Sequence, residues 1–526
     1  YPGPGVNTYQ SNLYTVEVLD GSIWVPSYVY KYSRVSATLW HQTFNPSVNF
    51  TTFGTDGQVS VRITKIGSSI TTASISPKSK NITAQINSGK ATITLNPLDK
   101  AWVIINGDDA NPLFIFADNF KQAIPAGATY FGSGVYDIAP NTANHYHASS
   151  NETIYLDGGA WVRGNIDVRG TSNVKIMGPG ILSGDLWTSE TVNSLSFNQK
   201  MDYAMVRGDW NGNNADVNDI TIVGSPSYNF FGGTHNAYNI KLLSPWYYST
   251  DGFQAVNHVD QSFAFIGDNV FFPIWAGIGN DDVTITNSFA GTSNNSVFCG
   301  GFWGNSASNT FTSFADNIDI KTYNSDAWVP FGAPLTPVAF QIWVDTNDST
   351  KGYSNQTYQN IRIEDNVGAP LAQLKNMVYP WGGSNVFDPP LGNSYNILFK
   401  NITLTGTQDG LSEVKGYDGS NRFHGVTFDN LVINGTRVTE SNRGNYFSTN
   451  SYVSDLNFLT PPDIIPPVVS ITSPANNSKV RKNSNVTIKA SASDNLGVSR
   501  VEFFVNGVLK CPDTTAPYSC VWLVPS

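Results

Sequence analysis

One short phrase recurs through the middle of this chain and constrains its fold more than any other feature. A polar residue, Asn or Asp, precedes two apolar residues separated by one other. It opens at Asn173, Asp219, Asn239, Asp282, Asn317, Asn360 and Asn396. The apolar pairs that follow are Val174/Ile176, Ile220/Ile222, Ile240/Leu242, Val283/Ile285, Ile318/Ile320, Ile361/Ile363 and Ile397/Phe399. The starts lie 20 to 46 residues apart, with no helical periodicity between them. An internal period of that size made only of short strands means a solenoid, here a right-handed parallel β-helix over residues 126–460. Asn or Asp tolerates the left-handed backbone that a coil corner needs, and the apolar pair points into the stacked core. Asp157-Gly158-Gly159 and Gly178-Pro179-Gly180 read as further corners.

The flanks carry a different pattern. Residues 1–125 show alternating runs such as Tyr14–Val18, Gln58–Ile63 and Ala91–Leu95, split by turn residues, and this spacing predicts an antiparallel β-sandwich that Phe114–Ala117 closes. Residues 461–467, rich in proline, read as a stiff linker. Residues 468–526 resemble a bacterial immunoglobulin-like module, too short for a whole sandwich of about 100 residues, so its last strands are expected to be missing. The class is all-β throughout: only seven glutamates occur, strong helix formers are scarce, and Asn, Thr, Ser, Gly and aromatic residues abound.

Charge and cysteines narrow the partners. A net charge of −10 excludes a nucleic-acid or anionic-membrane partner, and no apolar run approaches the roughly 18 residues of a membrane span. The opening at Tyr1, without Met or a leader, reads as a mature or trimmed chain. A secreted, monomeric protein is expected, with sequons at Asn49, Asn81 and Asn401 open to glycosylation. Cys511 and Cys520 flank a turn closely enough to form a disulfide, whereas Cys299 reads as a buried core residue rather than a nucleophile. No metal or other cofactor is expected, because His and Cys never cluster at ligand spacing and the Asp-rich turns lack an ordered calcium pattern.

The stretch from Trp246 to Gly277 carries the chemistry. Asp251, in a Thr-Asp-Gly turn, and Asp268, in a Gly-Asp-Asn turn, stand 17 residues apart, which is one coil. Two carboxylates and flat rings are what cleavage of a carbohydrate needs: one group delivers a proton, the other accepts one, and aromatic faces cover the sugar. Trp246, Tyr247, Tyr248, Trp275 and, further along the same face, Trp303 are candidate sugar-stacking rings, with core packing as the alternative. His258 is a candidate substrate contact or a plain surface residue. Asp281 and Asp282 offer a literal Asp-Asp pair, but a coil-corner turn accounts for them. No Lys or Arg lies within residues 246–277, which counts against a lyase and against an acidic uronate substrate.

The Trp-Tyr-Tyr-Ser-Thr-Asp-Gly and Gly-Asp-Asn-Val segments, following a sandwich and inside a β-helix, resemble glycoside hydrolase family 49, the dextranases and isopullulanases. More distantly they resemble the polygalacturonases. The resemblance implies an endo-acting, inverting hydrolase of a neutral α-glucan, with dextran and its α-1,6 linkages the first choice. Its alternatives are another polysaccharide (pullulan, α-1,3-glucan, polygalacturonate) or a β-helix that binds carbohydrate without cleaving it. It makes Asp268 the general acid and Asp251 the base, with carboxyls roughly 6.5–9.5 Å apart to admit a water. Where the family places a second aspartate this chain has Asn269, which would orient the water or mark a lost activity. The missing negative charge is also expected to lower the pKa of Asp268 relative to a true Asp-Asp pair.

Overall fold

A computed structural model describes residues 1–33, 47–120, 123–138, 145–188, 191–192, 194–209, 215–232, 235–245, 250–254, 256–272, 283–292, 295–300, 312–322, 338–345, 352–366, 368–377, 390–460, 466–494 and 497–526. The chain divides into two compact units, Tyr1–Leu459 and Thr460–Ser526.

The repeating phrase builds the larger unit as its chemistry requires. Asn173, Asp219, Asn239, Asn317, Asn360 and Asn396 all have φ between 53° and 67°. Asp282 lies outside the described residues. Left-handed backbone costs most L-residues about 1–2 kcal/mol, and Asn and Asp escape much of that through local hydrogen bonds. Here those bonds run from coil to coil. The Asn239 amide donates to Asp219 at 2.8 Å, Asn317 to Asn287 at 2.7 Å, Asn401 to Asn360 at 2.9 Å and Asn430 to Asn401 at 2.9 Å. Each described phrase then sends both apolar residues into one continuous core, in which Ile220, Ile222, Ile318 and Ile361 are fully buried. Parallel ladders join successive coils from Thr129–Phe131 to Val453–Leu459 in a 20-stranded sheet and an 11-stranded sheet.

The N-terminal segment forms two five-stranded sheets around a core that includes Val16, Val61, Ile93, Val103 and Ile115. One expectation needs correcting: the sandwich is not wholly antiparallel, because Leu113–Asn119 pairs in parallel with Val48–Thr55. Every side chain from Leu113 to Asp118 is buried, since the sheet has a layer on each side. Ile115 faces the sandwich core, while Phe114 and Phe116 join Trp102, Phe263, Phe265 and Phe289 in a second core against the solenoid. A buried ion pair crosses that seam, from Lys241 of the solenoid to Asp118 at 2.9 Å.

The smaller unit holds a three-stranded antiparallel sheet and a two-stranded hairpin. Asn506 and Gly507, both at positive φ, form the hairpin turn. Cys511 and Cys520 form a disulfide, with Cα atoms 6.0 Å apart.

Candidate active site

The site stands on the 11-stranded sheet, whose register is held from beneath. Phe230, Phe253, Phe271, Phe298 and Phe340 occupy one ladder position and point into the core. Their rings stack at centroid distances of 5.4, 5.6, 5.2 and 5.5 Å. Such pairs contribute about 0.5–1.5 kcal/mol each beyond the area they bury. A one-residue slip would carry every ring out of the core, so the stack fixes what lies two residues earlier in each coil.

Those earlier positions are Tyr228, Asp251, Asn269 and Ser296, with Asp268 and Asn295 one step further back. Backbone hydrogen bonds confirm the alignment: the Gly252 amide donates to Asn269 O at 2.8 Å and the Val270 amide to Ser296 O at 3.2 Å. The Thr-Asp-Gly turn needs its glycine. A Cβ at position 252 would stand 2.5 Å from Val270 O of the next coil, well inside contact distance.

Asp251 and Asp268 are 8% and 7% exposed, and Asn269 is 6% exposed. Asn269 bridges the two carboxylates. Its side-chain amide donates to Asp251 Oδ1 at 3.1 Å, and its backbone amide donates to Asp268 Oδ1 at 3.0 Å. The Ser296 hydroxyl donates to Asn269 Oδ1 at 2.7 Å, which leaves only the NH2 end of the amide to face Asp251. Asn295 Nδ2 adds a second donor to Asp268 Oδ1 at 2.9 Å. Burial, and then the negative charge of Asp268, push Asp251 well above the ordinary carboxylate range, against the opposing pull of Asn269 and Lys200.

Lys200 is the residue that sequence reasoning missed. It lies on the short helix Phe197–Met201, and its Nζ stands 6.0 Å from the Tyr228 ring, one coil from Asp251. Burial pushes its ammonium down to about 8, while the charges of Asp251 and Asp268 pull it back up. The absence of cations from residues 246–277 therefore does not make the site cation-free. The available signal was local: Ser196 and Gln199 have capping-box spacing, and the Gln199 side chain accepts the Ser196 amide at 3.2 Å. That marks a helix start, though not where the helix leads.

The other candidates fall as follows. Trp246, Tyr247, Tyr248, Trp275, Trp303, Asp281 and Asp282 lie outside the described residues. His258 fits the plain surface alternative: it is exposed and pairs with Asn236 and Thr284 on the 20-stranded sheet, not on the sheet that carries the aspartates. Cys299 is buried as expected, but at the site rather than in the apolar core. Its thiol lies 3.6 Å from Gln341 Oε1, and burial together with the Asp251 charge pushes it up, away from thiolate.

Comparison with known proteins agrees on the architecture. The bacterial Ig domain family matches residues 467–526. No curated protein sequence matches the chain. The solved structure of Dex49A from Penicillium minioluteum superimposes with a TM-score of 0.64 at 17% identity, covering 85% of this chain and 94% of that one. A Yersinia enterocolitica family 28 exopolygalacturonase gives a TM-score of 0.36 at 12% identity, over 77% of this chain and 97% of that one.

Proposed function

We propose that this chain is an inverting polysaccharide hydrolase in which Asp251 and Asp268 act as a dyad holding one proton. The observation that carries the reading is the buried pair itself. Two carboxyl groups stand on consecutive coils, bridged by Asn269, and one of them is held far above its ordinary acidity range. Inversion needs one carboxyl protonated for the leaving oxygen and one ionised to deprotonate water. A dyad that shares a single proton supplies both.

Which member holds the proton differs from the sequence expectation. Asp251 carries the upward push of burial and of the Asp268 charge, which its hydrogen bonds from Asn269 only partly oppose, while Asp268 receives two donors on one oxygen. This supports Asp251 as the acid and Asp268 as the base, the reverse of the roles the family resemblance implies. Asn269 orients the pair and takes no proton. The shared fold of Dex49A supports a polysaccharide substrate and makes dextran, with α-1,6 linkages cut internally, the first choice. Lys200 does not overturn the preference for a neutral glucan, because the single negative charge of the dyad already answers its own. The disulfide in the smaller unit supports export to an oxidising compartment.

A reducing-end assay across dextran, pullulan, α-1,3-glucan and polygalacturonate tests the reading. Release from a glucan by the wild type, lost in Asp251→Asn and Asp268→Asn variants of unchanged circular dichroism, is expected. Retention on immobilised dextran with no product from any polymer would defeat the hydrolase reading in favour of a binding protein.

A further inference from the structure

The seam between sandwich and solenoid contains a cavity of about 540 Å³ that the dyad does not use. Its walls include Lys80, Leu98 and Lys100 from the sandwich, and Gln261, Asp319 and Arg362 from the solenoid. Three of these are cations and one is a carboxylate, in a chain whose net charge is −10.

The cations differ in how they are satisfied. Arg362 is ion-paired and bonded at all three nitrogens, donating to Asp319 at 2.6 Å, to Asn360 O at 3.0 Å and to Asn317 at 2.8 Å. Lys80 is half exposed and pairs with Asp99 at 3.1 Å. Lys100 is 6% exposed, and among the described residues its ammonium makes one hydrogen bond, to Leu98 O at 2.9 Å. An ammonium has three donors, so two remain beyond that bond, on a residue that lines the cavity. The carboxylates nearest in charge are committed elsewhere. Asp118 binds Lys241, Asn239 and Thr52, and Asp99 binds Lys80 and the Asn96 amide. A buried cation with spare donors and no counter-ion of its own is costly unless something brings it one.

We propose that this seam cavity binds a small oxyanion, a carboxylate or sulfate group, held by Lys100 with Lys80 beside it. The charged groups around Lys100 are Asp118 and Asp99, which favour its charge, and Lys241 and Lys80, which oppose it; Asp319 and Arg362 complete the wall. Burial outweighs these and pushes the Lys100 ammonium down to about 7. A bound anion favours the charged form, so binding takes up a proton near pH 8 and weakens about tenfold for each further pH unit. Because the walls come from both sandwich and solenoid, the anion also ties the two together and raises the unfolding temperature.

The test is thermal unfolding of the full chain in sodium sulfate, sodium glucuronate or glucose, each against sodium chloride at equal ionic strength, at pH 6, 8 and 9. Sulfate and glucuronate are expected to raise the midpoint at pH 6, with the gain lost by pH 9 and absent in Lys100→Met. A gain from glucuronate alone would place the oxyanion on a sugar, and equal gains would show that the charge suffices. Since Lys100→Met could itself fail to fold, the wild-type pH dependence stands as a separate criterion. No gain over chloride, a gain equal at pH 6 and pH 9, or glucose matching glucuronate would overturn the proposal.

Discussion

Replacing Asn269 by Asp tests the electrostatics of the site with one atom. The side-chain NH2 that donates to Asp251 Oδ1 at 3.1 Å becomes an oxygen, while the acceptor end still receives the Ser296 hydroxyl at 2.7 Å. Shape is therefore kept and only the polarity facing Asp251 is reversed. A hydrogen bond to a charged group contributes roughly 1.5–3 kcal/mol, and Asn269 spends it favouring ionised Asp251. At about 1.4 kcal/mol per pH unit, its loss alone moves the proton's release upward by about one to two pH units. A third carboxylate in a buried site adds to that in the same direction. The assay is the pH dependence of kcat/KM on dextran, which reports the acid and base of the free protein. The alkaline limb should move up by at least about one pH unit at constant ionic strength, with the circular dichroism unchanged. An unmoved limb, or one displaced downward, would mean that Asn269 does not set the acidity of the dyad.

Four further outcomes follow from the same contacts. Asp251 is protonated more readily in the folded state than in the unfolded one, so its contribution is fully present below its unfolded value near pH 4 and is lost as pH rises through the folded value. Asp251→Asn should therefore raise the neutral-pH unfolding temperature and flatten its decline above about pH 4, while abolishing turnover; equal or lower stability at pH 7 would contradict this. With Asp251 as the acid, Asp251→Asn should keep far more activity on an aryl glucoside with a good leaving group than on dextran, and Asp268→Asn should not. Gly252→Ala forces the chain against Val270 O and should cost about 1–3 kcal/mol in urea unfolding, with loss of activity before loss of fold. Cys511→Ser opens a ten-residue loop in the smaller unit and should lower its stability by about 2–3 kcal/mol, leaving hydrolysis by the larger unit intact.

Features governed by local preference could be read from the sequence. The left-handed Asn corners and the inward Ile pairs follow from single-residue conformational cost and a two-residue period, and both stand where expected. The placement of Asp251 and Asp268 on consecutive coils was also legible, because a coil length between two turns is a one-dimensional quantity. What escaped was contact between coils. The parallel pairing of Leu113–Asn119 with Val48–Thr55 joins strands about 60 residues apart, a choice set by packing on the solenoid rather than by either strand. Lys200 feels the charge of both carboxylates from a helix 51 residues before Asp251, and no pattern in its own segment points there. His258 shows the converse: seven residues from Asp251, it lies beyond a coil corner and so on another sheet. The direction in which the Asn269 amide faces was likewise invisible, since Ser296 of the following coil decides it.

The central claim is that Asp251 and Asp268 hydrolyse an α-glucan by inversion, one as acid and one as base. Proton NMR of dextran digestion, followed from the first turnovers before mutarotation, measures this directly. The account predicts that the new reducing ends appear first as the β-anomer, and that neither Asp251→Asn nor Asp268→Asn produces them. First appearance of the α-anomer would mean retention and a covalent intermediate, and would contradict the mechanism derived from this pair.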